Sequence, residues 1–115
     1  VKTIIAGSRD IPAEVALAGI LACPWYDAIS EVVSEPSNEV GAQGRRWARV
    51  WQLPMKSYRP KLKHGSVAGA ICHREMAQYA DALIAVWDGK SRGTCSMISE
   101  AHAAKIRVFI WRTDQ

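Results

Sequence analysis

The stretch ADALIAVWDGKSRGT, residues 80–94, limits what this chain can become more than any other. Ala82 to Trp87 is an apolar run of strand length, with Asp81 before it. Asp88 to Arg92 is polar and carries a glycine, which reads as a loop. Gly93-Thr94 then opens a segment in which Met97, Ile98 and Ala101 recur at helical spacing. A strand, a glycine-bearing loop and a helix N-terminus in that order present free backbone N–H groups to an anion. A second junction of the same kind, KTIIAGSRDIPAE, lies at residues 2–14. The expectation is that the two turns lie side by side and form one ligand site.

A length of 115 residues holds one domain, and an apolar content of 49% is enough for a sizeable core. No window approaches the roughly 18–20 unbroken apolar residues of a membrane span. Lys2 is followed by only a short apolar run before Gly7-Ser8-Arg9, so this stretch is not read as a secretory leader. The 3 cysteines, Cys23, Cys72 and Cys95, are odd in number and widely spaced. That pattern argues against a disulfide framework and predicts a reducing, cytoplasmic setting. The net charge of +4 is unevenly distributed. Residues 42–74 contain Arg45, Arg46, Arg49, Lys56, Arg59, Lys61, Lys63 and Arg74 and no acid, while the rest of the chain is net acidic. A basic middle favours a phosphate-bearing ligand or a nucleic acid, and is also what a plain solvated basic face looks like.

Taken in order, Thr3–Ala6 is a short apolar strand stopped by Gly7. Asp10 is placed to cap a helix that starts at Ile11-Pro12 and ends at Pro24. Ala28–Val33 is a second strand, and Ser34–Gly41 a polar loop. Ala42–Trp51 is a helix in which Trp47, Val50 and Trp51, at i, i+3 and i+4, mark one buried face. Arg45, Arg46 and Arg49 turn mostly outward. Leu53–Tyr58 is an edge strand, since Pro54 has no N–H to donate. Arg59–Gly65 is a basic loop, and Ser66 caps a helix running to Tyr79. A strand over 82–87, a helix over 94–105 and a strand over 106–111 complete the chain. Alternating strands and helices predict βαβ crossovers and a small, doubly wound, Rossmann-like α/β domain spanning 1–115. With a strand order of 3-2-1-4-5, the winding would reverse between the first and fourth strands, where such folds bind ligands. The two glycine turns would then be neighbours.

The segments IIAGSRD (4–10), WARVWQLPMKSYRP (47–60), REMAQYADALIAVWDGKSRGT (74–94) and MISEA (97–101) resemble the YspA-type branch of the SLOG superfamily across nearly the whole chain. That superfamily of Rossmann-like domains includes the LOG phosphoribohydrolases, the DNA-processing protein DprA and nucleotide-sensing domains. The resemblance implies a nucleotide or nucleotide-derived ligand held by the first and fourth strand–helix turns, and self-association into a homodimer. The chain departs from the family pattern in three places. The loop after the second strand usually reads Gly-Gly-Ala-Arg-Gly-Ala-Asp, but here runs from Ser34 to Ala42 with Glu35-Pro36 in place of the glycine pair. Glu35 and Glu39 would repel a phosphate. The family tends to read Arg-Asn where Cys72-His73 stands. The positions that resemble the LOG catalytic Glu and helix Arg are Met97 and Cys72, so LOG chemistry is not carried over and no catalytic residue is assigned.

The candidate ligand-binding residues are Gly7, Ser8, Arg9, Arg74, Asp88, Lys90, Ser91, Arg92, Gly93 and Thr94. Gly7 allows close approach or positive φ, Ser8 can donate to a phosphate, and Arg9 can fork onto one. Gly93 bares the backbone, and Thr94 either caps its helix or touches ligand. Asp88 either accepts from a ribose hydroxyl or base, or shapes the turn around itself. Arg74 either reaches the site or pairs on the surface. Trp87 either stacks on a base or belongs to the core. Cys95, on the first turn of its helix, lacks an evident base. His64, Cys72, His73, Cys95 and His102 show no metal-ligand spacing, so neither metal nor cofactor is expected. The leading function is binding of a nucleotide or phosphorylated ribose derivative as a sensor or sequestering domain. An altered phosphoribohydrolase is second, with no well-placed acid or base to support it. Single-stranded nucleic-acid binding through Lys56–His64 is third.

Overall fold

A computed structural model describes all 115 residues. It is an α/β fold with a five-stranded, all-parallel sheet in the order β3-β2-β1-β4-β5. The strands are β1 (Lys2–Gly7), β2 (Glu31–Ser34), β3 (Met55–Ser57), β4 (Ala82–Trp87) and β5 (Arg107–Arg112). The helices are α1 (Ala13–Ala22), α2 (Glu39–Val50), α3 (Ala68–Tyr79) and α4 (Arg92–Ala103). The expected strand order and the expected α/β class are therefore both observed. No helix is long and apolar enough to cross a membrane.

The alternation of side chains along the central strands divides the core in two. On one face, Ile4 and Ala6 of β1 and Leu83 and Ala85 of β4 pack with Met76 and Ala77 of α3 and Met97 and Ala101 of α4. On the other, Ile5, Ile84 and Val86 pack with Ala16 and Ile20 of α1 and Val40, Trp47 and Ala48 of α2. The chain leaves β1 through α1 and α2 towards β3, then returns through α3 and α4 to β4 and β5. Reversing direction moves the helices to the opposite face, and a crevice opens at the reversal beyond β1 and β4. Helix α2 lies unusually close to β1: a Cβ at Gly44 would sit 2.9 Å from three atoms of Ile5.

Several local expectations are corrected. Asp10 does not cap α1; its φ is 61° and Pro12 occupies the N-cap position without a side-chain bond. Tyr26–Ala28 forms a 3-10 turn, so β2 begins only at Glu31. Helix α2 starts at Glu39 rather than Ala42, because the Asn38 side chain accepts from Gly41 N–H. Val50 and Trp51 are exposed, at 78% and 64%. The buried stripe is Val40, Gly41, Gly44, Trp47 and Ala48. At ~100° per residue, Val50 falls on its flank; Trp51 is the C-cap residue, beyond the last turn. Arg45 does not turn outward: it donates to Ser34 Oγ and to the carbonyls of Glu35 and Pro36. Residues 62–67 form 3-10 turns, and Ser66 caps nothing; α3 starts after Val67 without a side-chain cap. Helix α4 starts at Arg92, with Ser91 rather than Thr94 as its N-cap.

Candidate functional site

Beyond the carboxyl ends of β1 and β4 lies a cleft of about 570 Å³, within the range of roughly 300–1,000 Å³ usual for small-molecule sites. Only 3 of its 14 lining residues, Ala6, Met76 and Met97, are hydrophobic, so its surface is mainly polar. The β1 and β4 turns meet here as the sequence predicts. In the parallel register Gly7 pairs with Val86, and Ser8 N–H donates to the Val86 carbonyl at 3.0 Å. The buried Ser8 hydroxyl then accepts from Asp88 N–H at 3.1 Å, tying the first turn to the fourth.

Each turn is shaped by its own side chains. Asp88 Oδ1 accepts from the N–H groups of Lys90 and Ser91, both at 2.8 Å. Those two bonds hold its carboxyl below the ordinary aspartate range. Gly89 has φ 80°, and a Cβ there would lie 2.5 Å from Arg112 Nη2. Ser91 Oγ accepts from Thr94 N–H and from the Thr94 hydroxyl, at 3.5 and 3.3 Å. Gly93 lines the cleft, and a Cβ on it would meet nothing within 4 Å, so the first turn of α4 is bare there. Arg9 lines the cleft with an exposed side chain.

The second wall comes from β2, α2 and α3. Asn38 links α2 to β1: its Oδ1 accepts from Gly7 N–H at 3.2 Å and Gly41 N–H at 2.8 Å, while its Nδ2 donates to the Gly7 carbonyl at 2.9 Å. Gly7 is required by crowding, not by positive φ: a Cβ would lie 2.5 Å from both Val40 Cγ2 and the Val86 carbonyl oxygen. Glu35 lines the cleft with its Oε1 at 3.6 Å from Cys72 Sγ and 3.8 Å from His73 Nε2. His73 Nδ1 is 2.9 Å from Ser96 Oγ. Burial lowers the His73 pKa, against the opposing pull of Glu35 and Glu100. Burial, reinforced by Glu35, pushes the Cys72 thiol up to about 12, so it is a neutral donor and not a nucleophile.

Of the ten residues singled out from the sequence, Gly7, Ser8, Arg9, Ser91, Gly93 and Thr94 come together on the cleft. Asp88 lies off the cleft lining, its carboxylate engaged in the turn. Lys90 and Arg92 are exposed and do not line it. Arg74 is on the surface, with Nε 3.6 Å from Glu100. Trp87 donates to the Ser91 carbonyl and stacks under Arg112, so it supports the loop rather than facing the cleft. Asn38 is not a candidate on sequence grounds; Glu35, Glu39 and His73 enter there only as departures from the family pattern, with His73 also rejected as a metal ligand. Asn38 does carry a local signal, a capping asparagine followed by an acid in the first turn. Glu35 and His73 carried none, since 37 intervening residues separate them. No group of three or more His, Cys, Asp and Glu side chains is placed to hold a metal ion.

Fold and cleft together define a doubly wound α/β domain with a polar crevice at the point of strand reversal. Compared with protein-family models, curated proteins and solved structures, the chain finds no significant match.

Proposed function

We propose that this domain binds a nucleotide or a nucleotide-derived phosphorylated ribose in the cleft, as a sensor or sequestering protein. One observation carries the reading: Gly7–Arg9 and the bare first turn of α4 converge on one polar crevice, joined by the Asp88–Ser8 hydrogen bond. Backbone N–H groups at a helix start, together with a guanidinium, are suited to a phosphate. The sequence resemblance to SLOG domains supports the same ligand class. A thermal-shift screen with AMP, ribose 5-phosphate, ADP-ribose, NAD, cyclic AMP and short single-stranded DNA tests it. A ligand of the native state raises the melting temperature by mass action. The expected result is a shift with a ribose phosphate that Arg9→Ala abolishes. No shift with any nucleotide would sink the proposal.

A second reading is hydrolysis of a glycosidic bond in such a ligand. It draws on Glu35 and His73, an acid–base pair in the cleft that the sequence reading did not anticipate. Release of adenine from AMP, absent in Glu35→Gln, is its measurement. The exposed Lys56, Arg59, Lys61 and Lys63 do not line the cleft, so nucleic-acid binding would use a separate surface.

A further inference from the structure

The sheet order sets β2 and β4 on opposite sides of β1, so the cleft is lined from two chemically different sides. Arg9 supplies positive charge, and the first turn of α4 at Gly93 supplies a backbone N–H not taken up by the Ser91 cap. Glu35 and Glu39 supply carboxylates. Glu35 is the more enclosed of the two: its side chain is 19% exposed, with Oε1 3.6 Å from the Cys72 thiol and 3.8 Å from the His73 imidazole. Neither neighbour is a standing cation, because burial disfavours the charged imidazole and the thiol is neutral. The nearby guanidinium of Arg45 is directed at Ser34 Oγ and two backbone carbonyls. Glu35 therefore has no cationic side chain within ion-pair distance other than a protonated His73. A carboxylate so placed accepts well from hydroxyl or amino groups and strongly disfavours a second anion beside it.

We infer that Glu35, steadied by His73 and Cys72, is a specificity-determining residue: it restricts the cleft to ligands with a single phosphate and with hydroxyl or amino donors at the other end, and it turns away di- and triphosphates. The inference rests on the reading that the cleft holds a phosphorylated ribose. Arg9 and the start of α4 hold one phosphate; any further phosphate in a crevice of about 570 Å³ is brought towards the carboxylates.

Calorimetric titration at pH 8 and fixed ionic strength, without divalent cations, tests this with inorganic phosphate, ribose 5-phosphate, AMP, ADP and ATP. The wild-type protein is expected to bind AMP at least about tenfold more tightly than ATP. A net charge of +4 would by itself favour the more highly charged ATP, so this order is diagnostic. In Glu35→Gln the AMP preference is expected to shrink at least about fivefold, chiefly through tighter ATP binding, with an unchanged circular dichroism spectrum. If that variant does not fold, Glu35→Ser takes its place with the same expectation. ATP binding as tightly as AMP in the wild type, or an unaltered ratio in a folded Glu35 variant, overturns the selectivity and leaves the ribose-phosphate reading standing. Failure of every phosphate probe to bind either protein overturns both.

Discussion

The two walls of the cleft differ in what they are made of. The wall formed by the turns after β1 and β4 presents mainly backbone: the N–H groups at the start of α4, with Gly93 bare and Arg9 beside them. The wall formed by β2, α2 and α3 presents side chains, Glu35, Asn38, Glu39 and His73, drawn from separate elements. The backbone wall is held by short-range turn bonds and by one link between parallel neighbours, Asp88 N–H to Ser8 Oγ. The side-chain wall is held by long-range contacts, Asn38 to Gly7 and Glu35 to His73. One wall thus follows from local strand–turn–helix geometry, while the other needs side chains that only the fold brings together.

The largest expected effect breaks the joint between the walls. Gly7→Val places a branched side chain where Val40 and the Val86 carbonyl already lie within 2.5 Å of a Cβ. Overpacking of this kind costs about 3 kcal/mol, to be read from urea denaturation midpoints; an unchanged midpoint would mean that α2 and β1 separate easily. Asn38→Ala removes a helix cap and leaves Gly7 N–H and C=O without their partner. A loss of about 1–3 kcal/mol is expected in the same assay.

The next effect is on binding alone. Arg9→Ala removes an exposed guanidinium of the cleft and should leave stability within about 0.5 kcal/mol of wild type. Its affinity for AMP should fall about tenfold or more, the worth of a charge-assisted contact. A comparable loss in Arg74→Ala would contradict the placement of that residue, whose guanidinium pairs with Glu100 on the surface. For Arg74→Ala the expected change in affinity is less than about twofold, given the small worth of exposed ion pairs.

The smallest effect reports the side-chain wall through pH. The folded-state pKa of His73 is depressed by burial, so the unfolded chain binds more protons as pH falls through its ordinary value near 6.5. The stability contributed by the neutral, buried imidazole is present above that value and is lost as pH falls towards the folded-state value. Melting temperature should therefore decline between about pH 7 and 5. In His73→Gln that decline should flatten, whereas an identical slope would show that other groups carry it.

Local residue patterns are enough to give the class of fold and the backbone half of the cleft. Apolar runs such as Ala82–Trp87, set between segments of helical period, leave an α/β sandwich as the economical way to cover both faces of a parallel sheet. The same local pattern placed Gly7–Arg9 and Ser91–Thr94 at strand–helix turns, because turn and helix-start chemistry is encoded within a few neighbouring residues. Boundaries were less legible. Asn38 and Ser91, rather than Ala42 and Thr94, set where α2 and α4 begin, through single side-chain bonds. Trp51 keeps the direction of the buried stripe but lies past the end of its helix, which no periodicity reveals. The other half of the cleft is set by long-range packing. Glu35 and His73 belong to different elements, and their approach to 3.8 Å depends on β2 and α3 being packed around β1. Spacing along the chain carries no trace of such a meeting, because the contact is made by the fold and not by the residues between them.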